Sequence, residues 1–131
     1  MLTDQEAPLY EIKADLFKGL AHPLRIRVLE ILADAPDHEV PVSELLRETG
    51  LEASHLSQHL ATLRRHRAVT STRIGSGVVY SLAHPSVADL LRVARVFLVD
   101  TLEEAAARRD AARQSTVDSA ARQGTDDGGT R

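Results

Sequence analysis

Apolar residues recur at helical spacing in several stretches of the chain and crowd together at strand-like spacing in one. In LYEIKADLFKGL, residues 9–20, Ile12, Leu16, Phe17 and Leu20 fall on one stripe of a helix. Pro23 suits the first turn of a second helix, where its missing N–H would be unpaired in any case. Leu24, Val28, Leu29, Ile31 and Leu32 then give a broad apolar face over residues 23–34. Two prolines interrupt the pattern in APDHEVPV. Ser43 is placed to N-cap a short helix, SELLRET, which Gly50 ends as a left-handed residue.

The next segment predicts a helix over residues 53–67. Leu56, Leu60 and Leu63 lie at i, i+4 and i+7 and face inward, whereas Ser54, Gln58, Ala61 and Arg65 point away, flanked by His55, Ser57 and Thr62. The outward face is thus made of small and hydrogen-bonding side chains, without the Glu/Lys pairs of an ordinary solvated helix. His59 lies near the leucine stripe and reads as a packing and orienting residue. In VTSTRIGSGVVYSL, residues 69–82, the period changes, and Val, Thr, Ile and Tyr around Gly-Ser-Gly predict a β-hairpin. A long helix resumes after Pro85, with Leu90, Leu91, Ala94, Phe97, Leu98, Thr101, Leu102 and Ala105 on a wide stripe. From residue 114 the apolar periodicity is lost, which predicts a disordered tail over 114–131. Residues 1–8 read as a flexible N-terminus, and 9–113 as one domain.

The predicted class is therefore mainly α with a small β-hairpin, in the order ααααββα. Two helices joined by the tight turn GLEAS, with a hairpin after the second, make a winged helix-turn-helix. With 43% hydrophobic residues but only 3% aromatics, the core must be aliphatic. No apolar run reaches the roughly 18 residues of a membrane span, and the acidic N-terminus is unlike a signal peptide, so no membrane role and a cytoplasmic location are expected.

The formal charge of −3 is unfavourable for a nucleic-acid partner until it is resolved along the chain. Residues 1–52 carry eleven acids against five Lys and Arg. Residues 53–88 carry Arg64, Arg65, Arg67 and Arg73 with no acid at all, together with His55, His59, His66 and His84. A cationic segment in an acidic chain is the footprint expected where phosphates are met. A helix that enters a groove also needs small residues for close approach and amides or hydroxyls for base edges. No phosphate loop, nucleophile–base pair or paired acids suggests an enzyme.

Three segments, taken in order, resemble the ArsR/SmtB family of bacterial regulators. They are LFKGLAHPLRIRVLEIL (16–32), VSELLRETGLEASHLSQHLATLRRHRAV (42–69) and RIGSGVVYSL (73–82), and the likeness extends over residues 9–105. The resemblance implies a homodimer through the first and last helices, with Ile12, Leu16, Leu90, Ala94, Phe97, Leu98, Thr101 and Leu102 at the interface. It also implies binding to double-stranded DNA at a near-palindromic operator, usually as a repressor. By position, Ser54, His55, Ser57 and Gln58 would read DNA, with Arg73 and Ser76 contributing from the wing. Gln58 suits bidentate bonding to adenine, and Arg64 and Arg65 suit phosphates. The wing tip Gly75-Ser76-Gly77 departs from the family in lacking a basic residue.

The metal positions of the family are not filled. With no cysteine in the chain, the thiolate positions hold Pro41, Ser43 and Leu46; aligned on Asp89, the interhelical site holds Leu91, Leu102 and Ala105. No metal or other cofactor is therefore expected, and a second protein or a small molecule is left open as effector. Two other readings remain. One is a direct nickel, zinc or cobalt sensor with an atypical site, for which the i, i+4 pair His55 and His59 is the nearest raw material. The other is a winged-helix module that binds protein and not DNA.

Overall fold

The computed structural model describes residues 7–126. It contains α1 (Leu9–Leu20), α2 (Pro23–Asp34), β1 (Glu39–Pro41), α3 (Val42–Thr49), α4 (Ala53–Arg65), β2 (Val69–Ile74), β3 (Gly77–Leu82) and α5 (Ser86–Asp126). The helix-turn-helix and the hairpin fall where the apolar periods place them. The expected flexibility of residues 1–8 lies mostly outside the described residues.

The core is aliphatic. Leu20 of α1, Val28, Leu29, Ile31 and Leu32 of α2, Leu45 of α3, and Leu56, Leu60 and Leu63 of α4 are buried with Val40, Ala68, Val69 and Leu82 from the sheet and its approach. No aromatic ring is among them, so burial of branched and linear aliphatic chains drives this fold.

The sheet has one strand more than the period-two pattern shows. The order is β1-β3-β2, all antiparallel, with Val40 opposite Tyr80 and Arg73 opposite Val78. At three residues, β1 is too short to show alternation, and only Val40 faces the core. Pro41 is tolerated because β1 is an edge strand, where a missing N–H leaves no ladder partner unpaired.

This strand also corrects the expected start of α3. Ser43 is not its N-cap: the cap is Pro41, with no side-chain hydrogen bond, and Val42 is already helical. Pairing of Pro41 with Val79 fixes where the strand ends, so the sheet sets the helix start. The other end is as expected. Gly50 adopts φ 67° and its N–H donates to Leu46 O at 3.0 Å.

Space around Gly50 is open, so Gly50→Ala meets only the backbone penalty of a left-handed Cβ. The variant is expected to lose about 1 kcal/mol in urea denaturation. Unchanged stability would show that this residue is not left-handed in solution.

The chain divides into two compact units, one ending at Leu91 and one beginning at Arg92, where the sequence predicts one domain over 9–113. In the first unit, Val87, Ala88, Leu90 and Leu91 of α5 pack on the core. In the second, α5 continues to Asp126, so residues 114–126 are helical and not the disordered segment that the lost periodicity predicts. AAARRDAARQSTVDSAARQ needs no apolar stripe to form a helix: alanine, arginine and glutamine have high helix propensity. Gln114 Nε2 also donates to Asp118 Oδ1 one turn on, at 3.1 Å. The tail expected over 127–131 lies outside the described residues.

Candidate nucleic-acid interface

The inward edge of α4 is the leucine stripe, and its outward edge is open. Ser54, His55, Ser57, Gln58, Ala61, Arg64 and Arg65 are all exposed, while Leu56, Leu60 and Leu63 are buried. The structure thus brings the predicted base-reading side chains Ser54, His55, Ser57 and Gln58 onto one accessible helix face. Arg64 and Arg65 lie in the last turn, where cations oppose the helix dipole. Arg65 Nη2 donates to Thr62 Oγ1 at 3.4 Å, and Thr62 Oγ1 donates to Gln58 O at 3.1 Å, so hydrogen bonds run along this edge.

The C-terminus of α4 closes with a paired bond pattern. Ala68 N donates to Leu63 O at 2.9 Å and Arg67 N to Arg64 O at 3.1 Å, with Arg67 left-handed at φ 65°. This is the Schellman arrangement, and the buried pair Leu63 and Ala68 supplies its apolar contact. It turns the chain from α4 directly into β2, which fixes the hairpin relative to α4. On the hairpin, Arg73 and Ser76 are exposed, as is Ile74 beside them.

Three histidines that the sequence treats as minor have structural partners. His22 N-caps α2: its Nδ1 accepts from Leu24 N at 3.1 Å. Its ring lies against that of His59, centroids 4.5 Å apart and planes tilted by 45°. His59 is therefore turned toward α2 and is only partly exposed, in keeping with an orienting residue. Burial first, then the charges of His22, Arg25 and His55, hold its pKa below the ordinary histidine value. His66, at the C-cap of α4, places Nδ1 3.1 Å from Asp15 Oδ2 of α1. A Cβ on Gly19 would overlap the His66 ring, so this glycine permits the close crossing of α1 and α4. The third, His84, accepts from Ser86 N at 3.1 Å and caps the start of α5.

The contacts of His22 with His59 and of His66 with Asp15 join residues distant in sequence, so no local spacing announces them; the caps at His22 and His84 are local, each standing directly before a proline. Among the described residues, no three His, Asp or Glu side chains converge as a metal ligand set.

The predicted interface residues divide in two. Leu16 and Leu90 are partly covered by the core of their own unit. Phe97, Leu98 and Leu102 are exposed on α5, as are Val93, Val96 and Val99; on α1, Leu9, Tyr10 and Phe17 are exposed. Ile12 is half-buried, Ala94 is exposed and Thr101 is half-buried, its hydroxyl donating to Phe97 O at 2.9 Å.

Comparison with known proteins agrees with this architecture. Residues 20–72 match the family model described as a helix-turn-helix domain. The chain is 46% identical over 101 residues to the HTH-type transcriptional regulator Rv0081 of Mycobacterium tuberculosis, covering 76% of this chain and 86% of that protein. The crystal structure of Rv0081 superposes with a TM-score of 0.68 at 47% identity, over 75% of this chain and 96% of that one. The homodimeric winged helix-turn-helix DNA-binding domain of Mb0332 from Mycobacterium bovis, a possible ArsR-family transcriptional regulator, gives a TM-score of 0.68 at 28% identity, over 79% of this chain and 94% of that one. The fold, the helix-turn-helix match and the extent of these likenesses place the chain in the ArsR/SmtB family of winged helix-turn-helix transcriptional regulators.

Proposed function

We propose that this regulator binds a near-palindromic operator as a homodimer and represses transcription there, with α4 in the major groove and the β2–β3 hairpin against the neighbouring backbone. The observation that carries the reading is the exposed, acid-free face of α4, with Ser54, His55, Ser57 and Gln58 standing over a buried leucine stripe. Phosphate contacts would come from Arg64, Arg65 and Arg73, and base contacts chiefly from Gln58. A two-fold axis would set two α4 helices about 34 Å apart, one turn of duplex. Mb0332 is homodimeric, and the exposed apolar residues of α5 offer material for an equivalent interface. Among the described residues no helix is long and apolar enough to cross a membrane, consistent with action in the cytoplasm.

The reading includes no resident metal, since Pro41, Ser43 and Leu46, and likewise Leu91, Leu102 and Ala105, offer no thiolate, imidazole or carboxylate at the family's sensing positions. The signal would come instead from a second protein or an organic ligand.

Anisotropy titration tests this, using a duplex selected from random sequence by the protein itself and a scrambled control. Gln58→Ala is expected to cost about 1–3 kcal/mol at the selected site while sparing the control. Arg65→Ala should weaken both duplexes alike and lower the salt slope by about one. Wild-type behaviour in both variants would remove α4 from the groove. Added Ni²⁺ or Zn²⁺ should leave the affinities unchanged; a metal-dependent affinity would restore the sensor reading, with the histidines as the first residues to substitute.

A further inference from the structure

We propose that His22 is a positioning residue for DNA recognition, acting through His59, and that the contact between the two rings makes the seating of α4 sensitive to acid. The inference rests on the reading of α4 as the recognition helix.

The geometry joins two functions in one pair of rings. His22 closes the N-terminus of α2, because its Nδ1 accepts the Leu24 N–H. In the neutral ring the proton must then sit on Nε2, a tautomer assigned from this bond. The same ring packs on His59 of α4, 4.5 Å away. His59 shares its helix with the exposed residues Ser57 and Gln58, so a shift of α4 at this contact moves the base-reading face with it.

The charged groups that act on His59 are all basic: His22 and Arg25 from α2, and His55 one turn earlier on α4. From α1, Gly19 O accepts from Arg25 Nη1 at 2.7 Å, which tethers that guanidinium, and Asp15 is engaged by His66. A proton arriving on the His59 ring is therefore penalised by burial and by like charge. Both penalties are relieved by parting the rings.

The direction follows from linkage. With the folded pKa of His59 below the ordinary value of 6.5, the parted state binds protons more readily than the stacked one. The stabilisation from the stack is complete above 6.5 and is lost as pH falls below it. Any general gain of positive charge on acidification works the other way, since it tightens binding to every duplex alike. Selectivity, the ratio of affinities for selected and scrambled DNA, separates the two effects.

The test uses the full chain as wild type and as His22→Asn, which keeps an N-cap acceptor but removes the ring. Selectivity is measured at constant salt between about pH 7.5 and about pH 5.5, and the His59 ring is titrated by NMR without DNA over the same range. In the wild type, selectivity should fall by roughly threefold or more on acidification. In His22→Asn that loss should shrink to less than roughly half, and the His59 midpoint should rise toward the ordinary histidine value. A flat wild-type profile, parallel profiles in the two proteins, or an unmoved His59 midpoint would overturn the proposal. Absence of selectivity at every pH would instead sink the DNA reading. The ring titration then decides alone: a raised midpoint in His22→Asn upholds the coupling of the rings, and an unmoved one refutes it.

Discussion

Leu60→Ala is expected to destabilise the protein by about 2–5 kcal/mol, a large share of the 5–15 kcal/mol typical of a folded domain. Leu60 is 2% exposed and sits between Leu56 and Leu63 on the inner edge of α4, in the same cluster as Leu29 and Leu32 of α2. Truncation removes three carbons from a site whose neighbours are branched aliphatic chains already held by their own packing. No aromatic ring is among the buried residues of the cluster, so relaxation should be partial and the cost should lie well above that of lost transfer energy alone. Urea denaturation followed by circular dichroism measures the change, with an unaltered slope expected if unfolding stays cooperative. A loss below about 1 kcal/mol would mean that α4 is not seated on the core as described.

The second large effect concerns α5. Phe97 is 64% and Leu102 62% exposed, with Val93, Val96, Leu98 and Val99 also exposed. So much apolar surface on one helix is unusual for an unpartnered protein and marks an interaction surface. If a second copy covers it, Phe97→Glu buries an unpaired carboxylate, and two-fold symmetry introduces it twice. The variant is expected to run as a monomer by light scattering at micromolar concentration, with the unit that ends at Leu91 still folded, since Phe97 contributes nothing to the buried cluster. Affinity for the selected duplex should fall by roughly a hundredfold or more, because two half-site contacts are no longer linked. A dimer with unchanged operator affinity would place the interface elsewhere.

Much of the fold was legible because it rests on period. Leu56, Leu60 and Leu63 mark the buried edge of α4, and that edge fixes which residues face out. The hairpin was legible from its β-branched residues and its Gly-Ser-Gly turn. What escaped depends on distant partners or on propensity without pattern. Val40 is a strand residue only because Tyr80 pairs with it. Ser43 has the chemistry of a cap, but the sheet starts α3 before it. Residues 114–126 are helical without an apolar stripe, so a search for apolar periodicity does not see them. The pairing of His22 with His59 joins two helices that are far apart in sequence, and no local spacing announces it.

The separation of the two edges of α4 has a consequence for how such a regulator can change over generations. Ser54, His55, Ser57, Gln58 and Ala61 lie outside the cluster that holds the fold. Their replacement should leave stability within about 0.5 kcal/mol and should combine additively with distant core changes. Operator preference can therefore drift through viable intermediates, because each altered outward residue tests a new DNA sequence without endangering the scaffold that presents it. The inner leucines have no such freedom, so descendants of this chain are expected to diverge in the genes they control well before they diverge in architecture.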